Sequence, residues 1–150
     1  MKVDTSGLKQ YLDALGTAAQ EAARPAAQAM AQVYYDAARS FAPVSKRPHY
    51  FYGRRSGGKV RRYGPFNPGN LRDSIYQVFS ESNSRPGVAT YHVSYNVTKA
   101  PYAAMAEFGT SHSAAHPFIR RAAFSQAVQK AALEAGEKVL RERMEAAGVR

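Results

Sequence analysis

The chain contains no cysteine and no tryptophan. The lack of cysteine excludes disulfides and thiolate metal sites, and nothing points to an oxidising compartment. No apolar run approaches the roughly 18 residues that a membrane span requires. The opening Met1-Lys2-Val3-Asp4-Thr5-Ser6-Gly7 has a charge but no apolar stretch, so it does not read as a signal peptide. A chain that is soluble where it is made, without a membrane partner, is the expectation. Carboxylates are also scarce, with 11 Asp and Glu against 21 Lys and Arg. They are scattered, whereas a metal-dependent nuclease needs them clustered to hold divalent ions.

What is present fits one folded domain of 150 residues, 45% hydrophobic, with ten Tyr and seven Phe. The net charge of +10 is unevenly spread. No acidic residue lies between Ala37 and Arg72, while Arg39, Lys46, Arg47, Arg54, Arg55, Lys59, Arg61, Arg62 and Arg72 do. The remainder is almost neutral. A concentrated basic segment on a neutral scaffold implies a polyanionic partner.

The pattern predicts an α+β domain. Leu8, Leu12, Leu15, Ala19, Ala22, Ala26, Met30, Val33 and Ala37 step by three or four residues and draw the apolar stripe of an N-terminal helix. Asp4, Thr5 or Ser6 caps its start, and Pro25 either kinks it or opens the second of a helix pair. Residues 45–70, rich in Gly and Pro, read as a long basic loop with a short hairpin across Ser56-Gly57-Gly58. Two antiparallel strands follow, Leu71–Ser82 and Val88–Thr98, joined by the turn chemistry of Ser82–Gly87. In the second, Ala89, Tyr91, Val93, Tyr95 and Val97 face one way. Pro101 opens a short helix, Tyr102–Phe108, closed by Gly109 in the left-handed conformation. From Pro117 a long C-terminal helix, packed on the sheet, runs towards Gly148 with Leu133, Leu140, Met144 and Ala147 on one side. Glu134 with Lys138 and Glu137 with Arg141 pair on its wet side.

Catalytic and cofactor motifs do not hold. Gly53-Arg54-Arg55-Ser56-Gly57-Gly58-Lys59 matches the core of a phosphate-binding loop. Val60 then stands where a Ser or Thr must hold Mg²⁺, and Gly64-Pro65 breaks the chain where a helix must begin. His112 and His116 with Glu107 have zinc-type residues, but the intervening sequence reads as loop, with His116 capping the last helix. His49 and His92 read as polar surface, and Ser111-His112 or Ser74 beside Asp73 lacks any nucleophile elbow. No catalytic residue, metal or cofactor is expected.

Two features stay in play. Lys46, Arg47, Arg54, Arg55, Lys59, Arg61 and Arg62 interleave with His49, Tyr50, Phe51, Tyr52, Tyr63 and Phe66. Such a segment can neutralise phosphates, meet an acidic protein, or remain a solvated loop. The second feature is Tyr102-Ala-Ala-Met-Ala-Glu107-Phe108-Gly109-Thr110, followed by Ala115-His-Pro117-Phe118-Ile119-Arg120-Arg121-Ala122. It resembles the signature of tailed-phage head–tail joining proteins, the neck or tail-completion proteins of long-tailed phages. Ala42-Pro43-Val44 and Gly69-Asn-Leu71-Arg72-Asp73-Ser74-Ile75 resemble that family's other landmarks in the same order, so the likeness spans about residues 30–125.

The resemblance implies a single head–tail joining domain over 1–150 with a basic insertion at about 45–68, where relatives have a short link. It also implies a homo-oligomeric ring, six-fold or twelve-fold, between head-connector and tail proteins in the virion. Such a ring forms in the host cytoplasm and surrounds the genome, with non-specific DNA contact as an option. Glu107, Phe108, Gly109, Thr110, Pro117 and Phe118 then form the assembly motif. Gly109 allows the reversal, Thr110 bonds freed backbone groups, and Phe118 anchors the last helix. Glu107, beside a buried Phe108, needs a partner inside the subunit or across an interface. The alternatives are a small basic nucleic-acid-binding protein acting alone and a toxin-type ribonuclease, the latter lacking an acid/base set.

Overall fold

Alanine at every third or fourth position builds one 36-residue helix, α1 (Ser6–Phe41), in a computed structural model that describes residues 6–54 and 57–148. Of the two options at Pro25, the single helix is adopted, with the proline inside it. The proline leaves the Glu21 carbonyl without its helical donor, and Glu21 is exposed to water. Asp4 and Thr5, two of the proposed caps, lie outside the described residues.

The buried stripe differs from the expected one. It consists of Ala18, Ala22, Ala26, Ala31 and Ala38, with Ala42 just beyond, while Leu12 is 53% exposed. Alanines bury little area each, but they let another backbone come close. That partner is α5 (Gln126–Ala146), which lies along α1 and not on a sheet as expected. At the crossing, a Cβ on buried Gly136 would stand 2.6 Å from Met30 Cγ. A larger side chain there must displace Met30 or push α5 away, so Gly136→Leu should lower stability by about 2 kcal/mol. An unchanged melting temperature in that variant would mean the helices are not in close contact.

The remaining elements are β1 (His49–Arg54), β2 (Val60–Phe66), α2 (Asn70–Ser74), β3 (Ile75–Phe79), β4 (Tyr91–Tyr95), α3 (Ala103–Phe108) and α4 (Ile119–Phe124). The strands form two separate antiparallel pairs, β1–β2 and β3–β4. The expected long loop is therefore mostly a ribbon. In β3–β4, Ile75 lies opposite Tyr95, Gln77 opposite Val93, and Phe79 opposite Tyr91. Alternation puts these six on the side packed against α1 and leaves Tyr76, Val78 and His92 exposed. Val97, expected on the same face as Tyr91, Val93 and Tyr95, lies past the strand end and is exposed.

Two further expectations fail. Residues 71–74 belong to α2, not to a strand, with the Ser74 hydroxyl donating to the Leu71 carbonyl at 2.6 Å. The C-terminal helix is two helices, because Ser125 takes an extended conformation (φ −72°, ψ 117°) between α4 and α5. The break lets α4 enter the core while α5 follows α1. Leu133 is 63% exposed, and Ala132 and Gly136 face inward instead. Glu137 pairs with Arg141 as expected, at 2.7 Å, whereas Glu134 pairs with Lys130 and not Lys138.

The core gathers Ala38, Ala42, Leu71, Ile75, Ala100, Ala103, Phe118 and Ala122. Its largest fully buried apolar side chain is Phe118, whose ring lies 5.8 Å from that of Tyr95. Among the described residues no helix is long and apolar enough to cross a membrane.

Candidate assembly site

The segment from α3 to α4 is organised around one carboxylate. Ala103 and Glu107 are four residues apart, so they share the inward face of α3, and both are buried. Glu107 lies just before the start of α4 in space. Its Oε2 accepts from the Phe118 and Ile119 amides at 2.7 and 3.1 Å, and its Oε1 from the Arg120 amide at 2.9 Å. These are first-turn N–H groups that no helical carbonyl reaches. Glu107 thus caps α4 from 11 residues upstream, a role expected of His116. The Arg120 side chain returns the contact, donating from Nε to Oε1 at 3.2 Å and from a guanidinium nitrogen to the Glu107 carbonyl at 2.8 Å.

Burial pushes the Glu107 carboxyl up. The Phe118, Arg120 and Ile119 amides and the Arg120 side chain together outweigh it and hold the group below its ordinary value. The required partner of Glu107 is therefore inside the subunit. Phe108, expected to be buried beside it, is instead 62% exposed, with the Arg120 guanidinium 4.6 Å from its ring centre.

Between the two helices the chain reverses at Gly109. Its φ of 76° is positive as expected, but its ψ of 178° places it outside the left-handed helical region, in conformational space essentially reserved for glycine. The turn closes through the Thr110 amide to the Ser113 carbonyl at 2.8 Å and the His112 amide to Thr110 Oγ1 at 3.2 Å. The His116 amide then bonds the Ala106 carbonyl at 2.7 Å, and Pro117 leads Phe118 into the core. With its carboxylate committed to α4, Glu107 is not disposed towards His112 and His116. Among the described residues no three His, Cys, Asp or Glu cluster to hold a metal.

The other family-like landmarks meet the same core: Ala42, Leu71 and Ile75 are all part of it. Asp73 bonds Arg39 of α1 and Arg72 at 3.0 Å each, and the Arg72 hydrogen bond chiefly holds its carboxyl below the usual range. Asp73 is thus committed to two arginines, while the Ser74 hydroxyl donates to the Leu71 carbonyl.

The basic segment stands apart as the β1–β2 ribbon, whose strands pack chiefly on each other. Its base is fixed by rings: His49 lies 4.8 Å from Tyr102 and 5.8 Å from Phe66, and Phe66 lies 5.1 Å from Tyr102. His49 is thus a half-buried anchor and not surface decoration. Tyr102 immediately precedes α3, so ribbon and capped turn share a foundation. They also line one cleft of about 440 Å³, into which Ser45, His49, Ser113 and His116 project.

Lys46, Arg47, Lys59, Arg61 and Arg62 are exposed. The Arg54 side chain and Arg55 lie outside the described residues. The phosphate-loop-like Gly53–Lys59 begins at the end of β1 and is followed by strand β2, not by a helix. Sequence reasoning missed Arg120 as the partner of Glu107 and Tyr102 as the ribbon's anchor. Neither leaves a local signal, since each contact joins residues far apart along the chain.

A family model for bacteriophage HK97-gp10, described as a tail component, matches residues 6–109, more than two thirds of the chain. Pro117 and Phe118 lie beyond the matched stretch. Neither the curated proteins nor the solved structures yield a match. A match of that extent, on an α+β fold whose landmark residues converge on one core, establishes that the chain belongs to the HK97-gp10-like family of bacteriophage tail components, a structural part of the virion.

Proposed function

We propose that this tail component is a ring-forming subunit of the neck, a single head–tail joining domain that closes around the DNA passage and carries no catalytic site. The observation that carries the reading is a knob and a groove on one chain. The groove, about 410 Å³ and mainly apolar, runs between α1, β4 and α4 and is lined by Met30, Tyr34, Tyr91, Val93, Ile119 and Ala122 among others. The knob is Phe124, 77% exposed at the end of α4. At 100° per residue it points about 140–160° round α4 from the groove-lining Ile119 and Ala122. It therefore fits the groove of a neighbouring copy and not its own.

A knob and a groove at different places on one surface give head-to-tail contacts, which close into a ring when the rotation permits. Six-fold or twelve-fold closure is the expectation for this reading. Phe108, the outward member of the Glu107–Phe118 motif, would then face an adjacent head or tail protein. Assembly takes place in the host cytoplasm and ends in the virion neck, with the basic ribbon of about residues 45–68 as an insertion in the domain. The runner-up, a basic nucleic-acid-binding protein acting alone, predicts a monomer.

Native mass measurement separates the two. The wild type, free or in necks released from particles, should give a closed multiple of 16.4 kDa. Phe124→Glu should weaken each contact by about 100-fold, as for a central aromatic anchor. A wild type that is monomeric in both settings would sink the ring.

A further inference from the structure

We infer that the β1–β2 ribbon is an arm for the phosphate backbone of duplex nucleic acid, inserted into a groove and not laid on an acidic protein. The inference takes its setting, DNA passing through a ring, from the function proposed above. It stands on the ribbon's own geometry.

The ribbon carries cations on both faces. Arg61 pairs across the strands with Gly53, and Arg62 with Tyr52, so these neighbours point to opposite sides. Each guanidinium rests on a ring of its own face. Arg61 lies 5.2 Å from the centre of Tyr63, and Arg62 lies 4.4 Å from that of Tyr50. Lys59 enters from the turn, and Lys46 and Arg47 from the base. The sequence from residue 37 to 72 holds no carboxylate to neutralise them.

A protein surface meets one face of a ribbon, and cations on the other face would then be wasted. A duplex groove presents phosphates on both sides of what enters it. The major groove, about 12 Å wide, admits a two-stranded ribbon with strands about 4.8 Å apart. Strands of six and seven residues reach about 20 Å, enough to lie along a groove for several base pairs. Single strands are the poorer fit, because the Phe51 and Tyr63 rings stack on each other (5.9 Å) and so offer less to unpaired bases. With contacts to phosphate and none built for base edges, binding is indifferent to sequence.

The test titrates the full chain with a labelled duplex of about 30 base pairs and arbitrary sequence, from about 50 to 200 mM salt. If all five cations reach phosphates, the log–log slope is about −4.5, a loss of about 500-fold over that range. Replacing Lys46, Arg47, Lys59, Arg61 and Arg62 by Gln should flatten the slope and weaken binding by about 100-fold at the lowest salt. The melting temperature should stay constant, since all five are exposed. A control replaces Lys9, Arg85, Lys99, Lys130 and Lys138 by Gln. It removes the same net charge and should keep most of the affinity.

Equal losses in the two variants would assign binding to net charge and overturn the arm. Single-stranded DNA held as tightly as duplex would overturn the groove. Polyglutamate bound through the ribbon, with duplex ignored, would hand the surface to an acidic protein. Native masses of the same samples keep the readings apart. Rings without duplex binding remove the arm and leave the ring, whereas monomers with ribbon-dependent binding do the reverse.

Discussion

Glu107→Ala should be among the most destabilising single substitutions in the chain, costing about 4 kcal/mol and lowering the melting temperature by about 10 °C. The change strips the acceptor from the Phe118, Ile119 and Arg120 amides together and removes the ion pair to Arg120. A hydrogen bond to a charged group is worth about 1.5–3 kcal/mol. The bonds share one carboxylate, so they do not add, and Arg120, half open to water, recovers part of its loss. Glu107→Gln keeps the size but retains one oxygen and directs an NH₂ at N–H donors, so it should also destabilise, though less.

The pH dependence has a definite sign. The folded value of Glu107 lies below its ordinary value of 4.5. Its contribution is therefore complete above about pH 4.5 and lost as pH falls through the folded value. Urea unfolding of wild type and Glu107→Gln should give free energies that differ most near neutrality and converge in acid. A gap that stays constant down to pH 2 would mean that the charge of Glu107 does not hold α4. Asp73, also depressed, is common to both proteins and cancels in the comparison.

Gly109→Val should cost a similar amount for a different reason. A Cβ at Gly109 would stand 2.9 Å from the Ala115 amide nitrogen and 3.0 Å from the Ser113 carbonyl oxygen. Both are backbone atoms, which cannot swing aside as a side chain can. Backbone strain at this φ and ψ adds about 1–3 kcal/mol, so the total should reach about 4 kcal/mol. Gly109→Ala should carry most of that loss, because the Cβ alone makes the clash. Thermal melting within about 1 °C of wild type for Gly109→Ala would show that the turn rearranges freely. The turn also carries Phe118 to the core and Glu107 to α4. Combining Gly109→Ala with Glu107→Ala should therefore cost less than the two separate losses together.

The periodic parts of the fold were legible because they repeat. The Ala and Leu steps in α1 and the alternation from Tyr91 to Tyr95 gave element type directly. The parts that failed are short, or are decided at a distance. The five residues of α2 make less than two turns, so Ile75, Val78 and Phe79 pulled the whole stretch towards strand. The break at Ser125 carries no Gly or Pro, and it follows from the need of α4 to reach the core while α5 follows α1. Gly and Pro density at 45–70 masked the ribbon, whose Tyr50, Tyr52 and Arg62 share one face and whose Phe51 and Tyr63 share the other.

At the site, a carboxylate beside apolar residues signals that Glu107 needs a partner, but hydrophobicity alone points to Phe108 as the buried neighbour. Helical spacing from Ala103 points instead to Glu107 as the inward residue. Tertiary demand for a cap on α4 outweighed the ordinary preference for burying a phenyl ring.

The two ends of α1 keep different company, and this sets an order of folding. Its last turns belong with α2, β3, β4 and α4, all of which precede α5 in the chain. The stretch from Tyr11 to Met30 leans on α5, more than 100 residues further along the chain. Closing so long a loop costs entropy before any contact returns it. The core, joined through shorter loops, therefore closes first. The alanine-lined stretch of α1 waits for that event, and α5 then zips onto a helix whose other end is already held.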